Sequence, residues 1–176
     1  MKRGWGCEPV TDGEIRDSER FAALIRNHAG IVRKVAATYA RGPDERADLM
    51  QDILANLWAS WPRYDEARPF PTWMYRVALN VALSHVRSVY RERRVMIPLT
   101  GDHDAVAAAE LDHEANQALD ALHLTMARFD PLNRAVLLLY LDERSHREIG
   151  EIVGIGESAV GTRIDRIKQK LRRELA

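Results

Sequence analysis

His146-Arg-Glu-Ile149-Gly150-Glu-Ile152-Val153-Gly154-Ile155-Gly156-Glu157-Ser158-Ala-Val160-Gly-Thr162-Arg163-Ile164-Asp-Arg166-Ile167 is the stretch on which the fold turns. Two helical segments, about His146–Val153 and Glu157–Leu175, meet at Val153-Gly154-Ile155-Gly156. A helix-turn-helix needs a small residue where its helices cross, a turn that tolerates glycine and apolar inner faces. Gly150 supplies the first, Gly154 the second, and Ile149, Ile152, Val153 and Ile155 the third. In the second segment Val160, Ile164, Ile167 and Leu171 recur at helical spacing and form one stripe to be buried. The opposite face carries Ser158, Thr162, Asp165, Arg166, Gln169 and Arg173, with Arg163 and Lys170 along the edge of the stripe. Short hydroxyls allow close approach to a major groove, and arginine reaches guanine or phosphate. The competing reading is a plain amphipathic helix with a basic solvent face. The glycine-spaced turn and the donor face together favour DNA.

Upstream of this motif the chain stays helical. Ala, Leu, Arg and Glu dominate, and strand-like alternation is missing, so the expected class is all-α. Helices are expected over about Glu19–Tyr39, with a break near Ala29-Gly30, and over about Asp44–Trp61. A turn-rich loop, Pro62–Pro71, follows. A third helix runs from Pro71, tolerated in a first turn, to about Arg94. Residues 95–114 hold Pro98, Gly101 and a run of alanines, with acidic and no basic residues, and read as a linker between two small helical domains. Helices over about Glu114–Arg128 and Asp130–Leu141 precede the motif, Asp130-Pro131 being an N-cap followed by proline. The expected organisation is a tail over 1–17, a first domain over 18–94, the linker and a second domain over 115–176.

Composition agrees. The 176 residues are 46% hydrophobic and 30% charged, with mean hydropathy −0.35, as in a globular chain rather than a disordered one. The longest apolar run, Ala135–Leu141, has seven residues, against roughly 20 for a membrane span. Lys2 and Arg3 are followed by Glu8, Asp12 and Glu14 where a signal peptide would be apolar. A cytoplasmic location is expected. The single cysteine, Cys7, allows no internal disulfide or Cys-cluster zinc site.

Net charge is zero, but it is banded. Residues 71–94 hold five basic residues and one acidic, residues 95–157 four and 12, and residues 158–176 six and two. Two basic bands around an acidic one suggest two anion-binding surfaces.

The third helix carries one of them. Tyr75, Ala78, Leu79, Ala82, Leu83, Val86, Val89 and Tyr90 form an apolar face. Trp73, Arg76, Val77, Asn80, Ser84, Arg87 and Arg91 fall opposite. Aromatics among arginines suit single-stranded nucleic acid, where rings stack on bases and guanidinium groups hold phosphates. Trp73 has a second reading, packing under the Pro62–Pro71 loop. In the second helix Met50, Ile53, Leu54, Leu57, Trp58 and Trp61 give a wide apolar arc. Asp48, Gln51, Asp52, Ala55 and Ala59 make a flat, acidic surface suited to a protein partner or simply to solvent.

Asp48-Leu-Met-Gln-Asp-Ile-Leu-Ala-Asn-Leu-Trp58, Phe70-Pro-Thr-Trp-Met-Tyr-Arg-Val-Ala-Leu-Asn80, Ser145-His-Arg-Glu-Ile-Gly-Glu-Ile-Val-Gly-Ile155 and Thr162-Arg-Ile-Asp-Arg166 together resemble one family, the extracytoplasmic-function (ECF) sigma factors of bacterial RNA polymerase. The resemblance spans about 18–94 (family region 2) and 115–175 (region 4). It implies that Asp48, Leu49, Gln51, Asp52 and Ala55 dock on core polymerase. It implies that Trp73, Arg76, Asn80, Ser84, Arg87 and Arg91 open and read the promoter minus-ten element, and that Ser158, Thr162, Arg163 and Arg166 read the minus-thirty-five element. The acidic linker would thread through polymerase. The implied partners are core RNA polymerase, promoter DNA and an anti-sigma factor, with no cofactor, no metal and no membrane insertion. The chain departs from the family at Asp52, where glutamate is commoner, at Leu79, an arginine in many members, and at His146 and Gly150, commonly tyrosine and alanine. Pro71 stiffens the start of the third helix.

Rival functions explain less. His28, His85, His103, His113, His123 and His146 lack metal-ligand spacing, and no phosphate-binding glycine loop is present, which argues against an enzyme. A stand-alone helix-turn-helix regulator leaves the Trp/Asn/Arg face unexplained, and a helical adaptor leaves both basic bands unexplained.

Overall fold

The computed structural model describes residues 12–96 and 125–175. The expected linker, 95–114, and the first part of the helix expected over 114–128 fall almost wholly outside the described residues, as do Cys7, His103, His113 and His123. Every regular element among the described residues is helical.

Helix α1, Asp12–Asn27, begins inside the segment expected to be a tail. Within it the Ser18 hydroxyl donates to Ile15 O at 2.7 Å, and Phe21 anchors the helix by packing its ring 5.0 Å from Trp58 and 5.3 Å from Trp61. The chain leaves helical geometry at His28 (φ −116°, ψ 17°), one residue before the expected break, and resumes as α2, Ala29–Tyr39. Gly42 is extended, and α3, Pro43–Ser60, starts with proline and with Asp44 and Glu45 in its first turn, where acidic groups complement the helix dipole. The loop expected from Pro62 opens with a 3-10 turn, Trp61–Arg63. Pro62 has no N–H to continue the α-helical ladder, and the tighter turn tolerates it. Helix α4 is Phe70–Met96.

The second block holds a helical end at 125–127 and three helices. In α5, Pro131–Leu141, the Asp130 side chain accepts from the N–H groups of Leu132 and Asn133 at 3.2 and 3.1 Å. In α6, His146–Val153, Ser145 and Glu148 form a reciprocal capping box. Such caps contribute about 1 kcal/mol each. The last helix, α7, is Glu157–Leu175.

Two sets of buried side chains meet. Val35, Leu49, Ile53, Leu57, Met74, Ala78 and Leu79 close the α2–α3–α4 block, and Val136, Leu139, Ile149, Val160, Ile164 and Ile167 close the α5–α6–α7 block. Each of these Val, Leu, Ile or Met side chains contributes roughly 1.5–3 kcal/mol on burial. Helix α4 also packs against α5 and α6, and α2 against α5, so the cores are contiguous.

Candidate nucleic-acid and polymerase interface

The helix-turn-helix is built at the crossing of α6 and α7. Gly154 takes the left-handed conformation (φ 78°) and its N–H donates to Gly150 O at 2.9 Å. A Cβ on Gly150 would meet the Ile155 carbonyl oxygen at 2.6 Å, so the turn closes directly on the glycine backbone.

The α7 stripe lies as its spacing indicates: Val160, Ile164 and Ile167 are buried and Leu171 half-buried. Ser158, Thr162, Asp165, Arg166 and Gln169 are exposed. The Thr162 hydroxyl donates to Ser158 O at 3.0 Å, which leaves its oxygen outward as an acceptor. Arg163 is half-buried and donates from Nη1 to Asn133 Oδ1 at 2.9 Å. It ties α7 to α5 as well as edging the reading face. Arg166 borders a small recess shared with Asp130, Asn133 and Lys170. Lys170 donates to Arg128 O at 3.2 Å and lies 4.8 Å over the Phe129 ring. The recess was not legible in the sequence, because it joins α7 to the segment before α5.

On α4, Arg76, Asn80, Ser84, Arg87 and Arg91 are exposed on one face. Trp73 stands apart from them. It is half-buried, with its ring 4.9 Å from Tyr64, 5.4 Å from Phe70 and 6.2 Å from Trp61. The geometry is that of its second reading, packed under the loop before α4. Arg20 braces the same loop, with a 2.5 Å ion pair to Glu66 and its guanidinium 5.8 Å over Trp61.

On α3, Asp48, Gln51, Asp52 and Ala55 are exposed together. Leu49 is a correction: it is fully buried, its side chain committed to the core between α2, α3 and α4, and it leaves the docking face. The apolar arc is narrower than expected, because Leu54 and Trp58 are exposed, Trp58 by 51%. These two lie one helical turn apart and add an apolar component to the acidic face. The wheel missed them because Leu49, Ile53 and Leu57 already fill the inward stripe.

The two faces meet. Asp52 and Asn56 of α3 share an open groove with Asn80, Val81, Ser84, His85 and Ser88 of α4. At its side His85 Nε2 and Glu45 Oε1 are 2.7 Å apart. Burial pushes the Glu45 carboxyl up, but the hydrogen bonds from His85 and the Arg41 N–H outweigh it and hold the carboxyl below its ordinary range. Among the described residues no group of His, Cys, Asp and Glu could hold a metal ion, and no helix is long and apolar enough to cross a membrane.

Two family models match this chain: sigma-70 region 2 over residues 24–92 and sigma-70 region 4 over residues 119–171. The ECF RNA polymerase sigma factor SigW of Bacillus subtilis is 25% identical over 175 residues, covering 90% of each chain. The ECF RNA polymerase sigma factor SigE of Mycolicibacterium smegmatis is 30% identical over 159 residues, covering 87% of this chain and 60% of that one. The fold is similar to that of the sigma factor RpoE solved with the anti-sigma factor NepR from Bartonella quintana, with TM-score 0.66 and 18% identity over 90% of this chain and 95% of that one. With region 2 on the α1–α4 block, region 4 on the helix-turn-helix block and curated ECF relatives along nearly the whole chain, the protein belongs to the sigma-70 family as an ECF RNA polymerase sigma factor, a transcription initiation factor.

Proposed function

We propose that the sigma-factor work of this chain is divided by helix. The exposed Asp48/Gln51/Asp52/Ala55 face of α3, widened by Leu54 and Trp58, docks on core RNA polymerase. Arg76, Asn80, Ser84, Arg87 and Arg91 of α4 contact the opened minus-ten strand, with Trp73 holding the loop beside them. Ser158, Thr162 and Arg166 of α7 read the minus-thirty-five duplex, and Arg163 fixes the angle of that helix. The first domain takes in α1 through α4, 12–96, the second is 115–176, and the linker lies between them. The protein confers promoter specificity without catalysing a reaction itself, and it works in the cytoplasm. An anti-sigma factor is a partner, by analogy with RpoE, solved in complex with NepR.

The observation that carries this reading is the separation of chemistries: acidic and apolar side chains exposed on α3, arginines with an amide on α4, hydroxyls with an arginine on α7. The test is capture of core polymerase by the full chain and by Asp52→Arg. Asp52 is exposed, so the variant should keep its helix content and lose capture. Wild-type capture by the variant would show that the α3 face is wrongly assigned.

A further inference from the structure

The loop between α3 and α4 holds its own shape. Trp61 is buried and stacks on Tyr64, with ring centroids 5.3 Å apart at 18°. The Tyr64 hydroxyl donates to Arg68 O at 2.7 Å, and the Ala67 N–H donates to Asp65 Oδ1 at 3.0 Å. The chain then enters α4, where the N–H groups of Thr72 and Trp73 donate to Pro69 O at 3.0 and 3.2 Å.

The charge of the loop is settled from outside it. Residues 61–69 carry Arg63, Asp65, Glu66 and Arg68, which sum to zero. Asp65 lies 3.9 Å from Arg68 Nε within the loop. Glu66 is met by Arg20 of α1, whose Nη1 donates to Oε1 at 2.5 Å across 46 residues of sequence. The same guanidinium stands 5.8 Å over the Trp61 ring, and with it the local charge becomes +1. The two side chains are 50% and 64% exposed, so the pair does little for stability. Its position matters more. Trp73, Arg76 and Asn80 follow the loop at i, i+3 and i+7, on one face of α4. Asn80 is about 10 Å along the axis from Trp73, comparable to the screening length of about 8 Å in physiological salt. A free carboxylate on the loop would therefore repel a phosphate chain lying along that face.

Resting on the reading of α4 as the helix that meets the opened minus-ten strand, we propose that Arg20 is a positioning residue for strand capture that acts through Glu66. It holds the Glu66 carboxylate against α1 and leaves the loop with a positive sum where the Arg76/Asn80 face begins. A residue of the first helix thereby tunes how firmly the opened strand is held.

The test is binding of a fluorescent fork template, with the minus-ten block of a chain-dependent promoter single-stranded, by core polymerase loaded with the full chain, over a salt series. The variants are Arg20→Ala, Arg20→Glu and the double variant Arg20→Ala/Glu66→Gln, whose local charge returns to that of wild type. Arg20→Ala should weaken binding about two- to fivefold and Arg20→Glu about five- to tenfold, as repulsion at this distance allows. Both ratios to wild type should shrink as salt rises, while capture of core polymerase stays unchanged. The double variant should bind within twofold of wild type, although it rebuilds no ion pair. Wild-type binding by Arg20→Glu would overturn the proposal. So would a loss that Glu66→Gln leaves in place, since Arg20 would then brace the loop or touch the strand itself. Asn80→Ala separates this from the underlying reading. If it too binds like wild type, α4 is not on the strand and both fall; if it weakens binding while Arg20→Glu does not, the Arg20 proposal alone falls.

Discussion

Gly150 and Ile155 are in backbone contact: a Cβ on Gly150 would stand 2.6 Å from the Ile155 carbonyl oxygen. Real Cβ atoms do not approach a carbonyl so closely, so Gly150→Ala must push the turn away from α6. The expected loss is about 1–3 kcal/mol, the usual cost of overpacking. Gly154→Ala, at φ 78°, should cost about 1–2 kcal/mol through left-handed strain alone. Chemical denaturation of the full-length variants checks both values, and wild-type stability for Gly150→Ala would show that the turn relaxes freely.

Trp73 packs on Tyr64 and Phe70. Trp73→Ala should therefore destabilise the protein by about 2–4 kcal/mol, somewhat below the cost of deleting a fully buried ring. Activity should fall on duplex and pre-melted templates alike, and Trp73→Phe should recover most of the stability. Activity lost only on the duplex template, with stability intact, would restore stacking on an unpaired base as its role.

Arg163 and Arg166 separate on α7. Arg166→Ala should relax preference at one or two minus-thirty-five positions, at about 1–3 kcal/mol if the contact is bidentate. Arg163→Ala removes the hydrogen bond to Asn133 and should lower stability by about 0.5–1.5 kcal/mol. Its binding should weaken evenly across sequences. Titration of the full chain against single-base variants at several salt concentrations distinguishes them. A sequence-selective loss for Arg163→Ala and an even one for Arg166→Ala would mean that α7 is rolled in the groove.

Acid should loosen the contact between the blocks. Burial raises the Asp142 carboxyl, but hydrogen bonds from Lys34 and Tyr75 and the charges of Lys34 and Arg144 hold it below its ordinary range. A carboxyl held low in the folded state contributes stability above its unfolded value, near 4, and loses it as pH falls through the lower folded value. The stability difference between wild type and Asp142→Asn should therefore be largest near neutrality and shrink below about pH 4. A difference that grows towards acid would reverse the sign of this linkage.

Legibility in the sequence followed the range of the interactions. The Val160/Ile164/Ile167 stripe, the Asp130-Pro131 cap and the Gly154 turn depend on neighbours a few residues away, and all could be read from spacing. Leu49 was misplaced because its neighbours Asp48 and Gln51 face solvent, while its own burial depends on α2 and α4. Leu54 and Trp58 were misplaced in the opposite sense, as an apolar arc does not reveal how much of itself a neighbour covers. The Asp142 cluster joins positions 34, 75 and 142, and no local pattern marks such a meeting. Trp73 was open to two readings because a helix wheel gives its direction but omits the loop folded over it.

Promoter-directed transcription is the most direct measurement of the central claim. Core RNA polymerase, the purified chain and a genomic library of promoter fragments should yield discrete run-off transcripts that require the chain. Their upstream sequences should share two blocks at the minus-ten and minus-thirty-five spacing. Asp52→Arg should abolish every transcript, and Arg166→Ala should change tolerated bases in the upstream block only. Sequence-specific duplex binding by the chain with no chain-dependent transcript from core polymerase would contradict the account and favour a regulator that acts without polymerase.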